Sequence, residues 1–178
     1  MKALKYIGLG LLAIIVLILV VALFVSKDVV YEKSITINAP IDSVWMNVNS
    51  LAAMDKWSPW NDYDPNMKKS LTGTDGTVGA MASWESDVDE VGKGSQTISK
   101  IEAPTLFETD LKFYNGYESE AKGYVQLSSE GPGTKVTWGF KSEMPYPFNA
   151  MKLFMNMEDI MDKDWNSGLG KLKVLCEK

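Results

Sequence analysis

The amino-acid sequence predicts an α+β protein: a curved antiparallel sheet wrapped on a long C-terminal helix, preceded by one N-terminal transmembrane helix. Three observations carry this. Residues 7–25 are a run of 19 without a charged side chain. Between residues 68 and 142, short alternating apolar and polar runs are separated by glycine, proline and asparagine, as in hairpin-linked strands. From residue 149 to about residue 176, apolar residues return every three or four positions, the period of a helix with one buried face.

As a helix, the run 7–25 is about 28 Å long, close to the hydrocarbon thickness of a bilayer. Lys2, Lys5 and the α-amine precede it, while Lys27 and Asp28 follow and nearly cancel. The positive-inside rule then keeps the N-terminus cytoplasmic and carries the rest across, giving a single-pass protein of the cell membrane. A cleaved signal peptide is the rival reading. Its apolar core usually has about 7–15 residues, and a cut after Ala22 would fall inside the run. The single cysteine is Cys176, so no lipoprotein anchor follows. The expected division is an anchor over 1–27 and one domain over 28–178, long enough for a real core.

Residues 29–37 (VVYEKSITI) alternate and are rich in β-branched side chains, so they read as a strand. Asn38-Ala-Pro40 stops it. Pro40 suits a first helical turn, with Ile41, Val44, Trp45 and Val48 at helical spacing behind it. Residues 51–57 form a second short helix, ended by Ser58-Pro59 because a residue before proline avoids helical dihedrals. Strands follow at 68–72, 78–86, 94–101, 106–114, 118–127 and 134–142. Gly73-Thr-Asp-Gly76, the acidic stretch 87–92, Ala103-Pro104, Asn115-Gly116 and the loop 128–133 turn the chain between them. Val78, Ala80, Ala82 and Trp84 share one face, as do Val136, Trp138 and Phe140. Pro145 and Pro147 interrupt the chain before the last helix. That helix, over 149–176, carries the stripe Phe154, Met157, Met161, Trp165, Gly168, Leu172 and Leu175, and Gly168 permits close approach to a sheet. Hairpin-linked strands leave one sheet face to cover, and the long helix is its cover. A strongly curved sheet gripping a helix encloses a space.

Composition narrows the chemistry. Hydrophobic residues are 46% and charged residues 23%, a globular balance. Apart from Lys2, Lys5 and Lys27, 15 lysines face 23 acids, so the domain carries −8 and repels phosphate backbones. Nucleic acid is not an expected partner. All 18 basic residues are lysine, so there is no guanidinium fork for a bidentate grip on carboxylate or phosphate. There is no histidine, the commonest acid–base group and metal ligand. Cys176 lies in an apolar-periodic stretch and reads as a buried packing residue.

Four segments, in order, point to a family. Ser34-Ile-Thr-Ile-Asn-Ala-Pro-Ile-Asp-Ser-Val-Trp45 looks like a first strand, proline turn and helix start. Trp57-Ser-Pro-Trp60 is similar to a tryptophan-containing segment after it. Gly133-Thr-Lys-Val-Thr-Trp138 looks like a penultimate strand, and Ser167-Gly-Leu-Gly-Lys-Leu-Lys173 like a closing helix. Over about residues 29–176 the chain thus resembles the START-like, or Bet v 1-like, helix-grip superfamily (SRPBCC), in its polyketide cyclase/dehydrase and lipid-transport branch. The resemblance implies a helix-grip fold. It implies binding of lipids, sterols, polyketides or hormones, with cyclisation catalysed by a few members.

An enzyme of this kind needs acid–base groups in its cavity, and here the candidates are carboxylates, lysine and tyrosine. Asp87, Asp89 and Glu90 read as a solvated turn. Glu85 points away from Trp84's face, and Glu118 and Glu120 lie on the polar face of their strand. No catalytic residue is assigned. Asp62-Tyr-Asp64-Pro-Asn66 resembles the opening of a calcium loop, but Met67 stands where glycine and Gly73 where glutamate is needed. No metal and no cofactor are expected. Six Trp and ten Met are many for this length, and methionine lines adaptable apolar surfaces as readily as it fills a core. Alternation, helical phase and the resemblance together nominate Trp57, Trp60, Met81, Trp84, Phe113, Trp138, Met144, Phe154, Met155 and Met157 as cavity lining. Three functions stand open. The first is membrane-anchored binding of a hydrophobic small molecule or lipid between sheet and helix. The second is a protein–protein interaction or regulatory domain without ligand. The third is a cyclase- or hydrolase-type enzyme using a buried carboxylate or tyrosine. The apolar inventory beside a bilayer fits the first best.

Overall fold

The structure, a computed structural model, describes residues 2–114, 116 and 118–178, and every side chain among them except those of Lys2 and Met157. Helix α1 spans Lys2–Ala22. Its stretch Ala3–Ala22 has a mean hydropathy of 2.7 and is long and apolar enough to cross a membrane. It stands clear of the domain until its last turn, where Ala22 is only 1% exposed.

The domain opens with β1 (Asp28–Ile37) and three short helices, α2 (Ile41–Trp45), α3 (Leu51–Asp55) and α4 (Trp60–Tyr63). Six strands follow: β2 (Lys68–Thr72), β3 (Met81–Glu85), β4 (Lys93–Glu102), β5 (Leu106–Phe113), β6 (Ser119–Glu130) and β7 (Gly133–Glu143). A 3-10 helix, Phe148–Leu153, leads into α5, Met157–Cys176. The strands form one antiparallel sheet in the order β1-β7-β6-β5-β4-β3-β2. Each hairpin pairs with its neighbour in sequence, and β1 returns to close on β7. Gly73 and Gly76, at φ 80° and 75°, turn the chain between β2 and β3 in a conformation that favours glycine. One ladder row runs Val29, Ser142, Ala121, Leu111, Gln96, Ala82, Leu71 across the whole sheet, starting at the second residue of β1.

α5 lies across the concave face. Trp165, Leu169 and Leu172 are buried there with Ile37, Val125, Val136 and Trp138 in the main core. Gly168 lets it approach: a Cβ there would lie 2.7 Å from Cζ3 of Trp138 and 3.3 Å from Cδ of Pro59.

Three elements differ from the sequence reading. The C-terminal helix starts at Met157, not at 149. Asn156 takes an extended conformation and its side chain accepts a hydrogen bond from the Glu158 amide at 3.1 Å, an N-cap that restarts the helix. Helical phase is therefore broken before Met157, and Phe154 leaves the stripe. The third strand starts at Met81 rather than 78, because the Ala80 amide bonds Thr77 and folds 77–80 into a turn; Val78 is 63% exposed. Pro59 ends one helix and also opens α4, the position in which a missing N–H costs nothing. The Asn115-Gly116 turn includes Asn115, which lies outside the described residues.

Candidate functional site

Between the sheet and α5 is a cavity of about 580 Å³, within the usual range of small-molecule pockets. Its inner wall is aromatic. Trp138 and Trp165 stack with centroids 4.5 Å apart, while Trp57 and Trp60 meet Trp138 edge-on at 4.9 and 5.9 Å. The indole N–H groups of Trp57 and Trp165 are satisfied by backbone carbonyls, those of Asn47 at 2.9 Å and Trp138 at 3.2 Å. At the other end Trp84 lies edge-on to Phe113 at 6.0 Å and donates to the Val91 carbonyl at 3.2 Å. It crosses β4 at Gly94, where a Cβ would sit 2.4 Å from the indole. Leu111, Ala82 and Leu71, three members of the ladder row that starts at Val29, complete the sheet wall.

The mouth lies between α3, β2 and the loop at 89–90, where Ala52, Leu71, Asp89 and Glu90 are exposed. α3 is pinned there from outside itself. Ser50 caps the Ala53 amide at 3.1 Å, and the Asp75 carboxylate takes the amides of Leu51 and Ala52 at 2.9 and 3.0 Å. Lys69 is the one cation among the described lining residues. Its ammonium donates to Asp55 and Asn61, each at 2.7 Å. Deeper in, Gln96 donates to Thr109 at 2.9 Å, and Thr109 to the Gly123 carbonyl at 3.3 Å. The site can therefore take an apolar body, with a few polar groups at its base and rim.

Of the ten nominated residues, Trp57, Trp60, Trp84, Phe113 and Trp138 line this cavity. Met81, Met144, Phe154 and Met155 do not. Met81 is one residue out of phase with Ala82 and Trp84, so the pleat turns it to the other face. Met144 follows β7, and its amide bonds the Lys27 carbonyl at 2.8 Å, between α1 and β1. Phe154 and Met155 precede the helix restart and are exposed. Met157 opens α5, but its side chain lies outside the described ones. The structure adds Met67, Leu71, Ala82, Gln96, Leu111, Phe140, Met161 and Trp165. Met161 and Trp165 were legible as the helix stripe, and Leu111 as the same strand face as Phe113. The part played by β2 carried no local signal, since every residue of that strand is exposed.

Outside the cavity, two tyrosines meet carboxylates. Tyr31 donates to Asp162, which also takes Lys33 at 2.6 Å, and Tyr124 donates to Glu32. Burial, then the carboxylate partner, holds both phenols above their ordinary range. The Lys33 hydrogen bond, then that from Tyr31, holds the Asp162 carboxyl low. Cys176 is half-buried rather than buried. Burial pushes its thiol up, against a 3.5 Å contact from the Asn47 amide. Of the carboxylates resembling a calcium loop, Asp62 pairs with Lys171 at 2.5 Å and Asp64 accepts the Asn66 amide at 2.9 Å. Among the described residues no cluster of histidine, cysteine or carboxylate could hold a metal.

The sequence family described as polyketide cyclase / dehydrase and lipid transport matches residues 28–177. No curated protein matches the sequence significantly. Among solved structures, a protein from Nitrosospira multiformis is similar at a TM-score of 0.60 and 18% identity, covering 83% of this chain and 96% of its own. The major latex-like protein 151 of Panax ginseng aligns at 0.58 and 13%, covering 84% and 98%. The protein Ara h 8.0201 aligns at 0.57 and 12%, covering 85% and 99%. At these identities the likeness is one of fold.

Proposed function

Because the chain belongs to the polyketide cyclase/dehydrase and lipid transport family and has its Bet v 1-like helix-grip fold, we propose that it binds a hydrophobic small molecule or lipid tail beside a membrane. The observation that carries this reading is the cavity of about 580 Å³ under α5, walled by tryptophan, phenylalanine, leucine and methionine. α1 tethers the domain through residues 7–25, with the N-terminus cytoplasmic and the domain outside, as the flanking lysines favour. The bilayer is then the reservoir from which the ligand comes. The ligand's apolar part lies against Trp138, Trp165 and Phe140, and any polar end meets Lys69, Asp55 and Asn61 at the mouth.

The test is to extract the full chain from its native membrane, identify copurified lipids by mass spectrometry, and titrate it with a fluorescent fatty acid. Saturable binding displaced by the extracted lipid is expected. A chain that copurifies with nothing and shows no saturable signal would remove this reading. A ligand-free interaction domain would be favoured by a closed interior, which is not what lies beneath α5. An enzyme would need a sheltered carboxyl or phenol in the cavity. Asp55, Asp89 and Glu90 are exposed at its mouth, and Tyr31 and Tyr124 are not among its lining residues.

A further inference from the structure

We propose that the segment 148–154 rests in the interface of the same bilayer that α1 crosses, fixing the domain's height and tilt. This rests on α1 being a membrane span, and goes beyond the cavity reading. Two independent features carry it.

The first is a clamp. Asn149 is fully buried, and its amide nitrogen donates to the carbonyls of Ala22 at 2.7 Å and Val25 at 2.9 Å. Those carbonyls belong to the last turn of the apolar run, where α1 tightens into i→i−3 hydrogen bonds, Phe24 to Val21 at 3.0 Å and Val25 to Ala22 at 3.3 Å. Lys152 donates to the carbonyls of Ser26 at 3.1 Å and Asp28 at 2.6 Å. The 3-10 helix is thus bolted to the anchor's final residues. If the run ends at the membrane surface, this bolt lies within about 6 Å of that surface.

The second is what the segment shows to the outside. Met151, Leu153 and Phe154 are exposed, Phe154 at 73%, as are Leu23 and Phe24 at the end of the apolar run, Phe24 at 86%. Phe148 is also exposed. Large apolar side chains at the depth of the headgroups are buried by lipid rather than wetted, and a short helix lying in that plane gains their transfer energy. The polar clamp bonds the end of the apolar run, while these apolar side chains stay exposed. The sheet row that carries the cavity wall starts at Val29, next to this junction.

The experiment uses the full chain with Cys176→Ala, carrying a single environment-sensitive fluorophore, in lipid nanodiscs containing nitroxide lipids. The label is placed in turn at Phe154→Cys, Leu12→Cys and Ser129→Cys. Leu153→Cys is the second reporter should the 154 variant fail to fold. Leu12 reports the span, and Ser129 lies in the hairpin at the far end of the sheet. The expected result is a blue-shifted label at 154. It should be quenched roughly twofold more by a nitroxide near the headgroup than by one deep in the chain, as for a depth of about 5–10 Å. Ser129 should be unquenched, and Leu12 quenched most by the deep nitroxide. A quenched Leu12 with 154 and 153 as dark to nitroxide as Ser129 overturns the proposal and leaves the anchor intact. Quenching at Ser129 as well overturns it, because the domain then lies flat. An unquenched Leu12 overturns the anchor and the proposal together.

Discussion

Asn149 shows how much one side chain can hold in this fold. Its amide bonds two carbonyls in the last turn of the apolar run, those of Ala22 and Val25. Asn149→Ala removes both hydrogen bonds, each worth about 0.5–1.5 kcal/mol. Asn149→Asp is worse, since it turns a carboxylate oxygen toward two carbonyl oxygens. The expected result is faster trypsin cleavage after Lys27, by roughly 5–30-fold for a loss of 1–2 kcal/mol, with Asp exceeding Ala. Asp162 gives a pH signature. Its folded pKa is lowered by Lys33 and Tyr31, so its contribution is present above the unfolded carboxyl value and lost as pH falls through the folded one. Denaturation midpoints of Asp162→Asn and the parent should differ at pH 6 and converge below about pH 4. The two raised phenols act at the other end. Tyr31 and Tyr124 should still be protonated above about pH 10, the ordinary tyrosine value, when absorbance follows an alkaline titration. Unfolding should release both.

At the scale of elements, the contact between α5 and the sheet depends on Gly168. Alanine in a helix is better than glycine by about 1 kcal/mol, so propensity alone makes Gly168→Ala stabilising. The added Cβ would sit 2.7 Å from the Trp138 ring, which is itself stacked on Trp165. Overpacking of this kind costs about 1–3 kcal/mol. A lower denaturation midpoint and altered tryptophan emission are therefore expected; a raised midpoint would mean the helix moves freely at this crossing. The break between the 3-10 helix and α5 belongs to this scale too. The Asn156 cap was not read from the sequence, because an apolar rhythm over 149–176 concealed it. Ahead of that break, Asn149 and Lys152 bond the end of α1 and the residues after it.

For the whole molecule, the hollow is the property that matters. A sheet bent around a helix leaves room at its centre where the wall carries small residues, here Ala82 and Gly123. Ala82→Trp places an indole on the cavity wall. The expected outcome is a fluorescent fatty-acid affinity reduced at least about tenfold, or about 1.4 kcal/mol, with a denaturation midpoint equal to or above the parent's. A filled cavity that still binds the probe would place the binding surface elsewhere.

Local chemistry was enough to determine the element order, the antiparallel hairpins and the terminal helix. It also marked out an apolar N-terminal run of membrane-spanning length. Turn residues, period-2 alternation and period-3.6 stripes are properties of neighbours in the chain. Trp57, Trp60, Trp84 and Trp138 were nominated from alternation, helical phase and the resemblance, whereas Trp165 was read only as part of the helix stripe. Tertiary structure alone decided which apolar residues meet the hollow. Met81 missed it by one step of the pleat, and Phe154 and Met155 by an interrupted helix. Leu71 and Gln96 were brought to it by a register that spans seven strands. No local pattern encodes that register, because it is set by how the strands pair and how the sheet bends around α5.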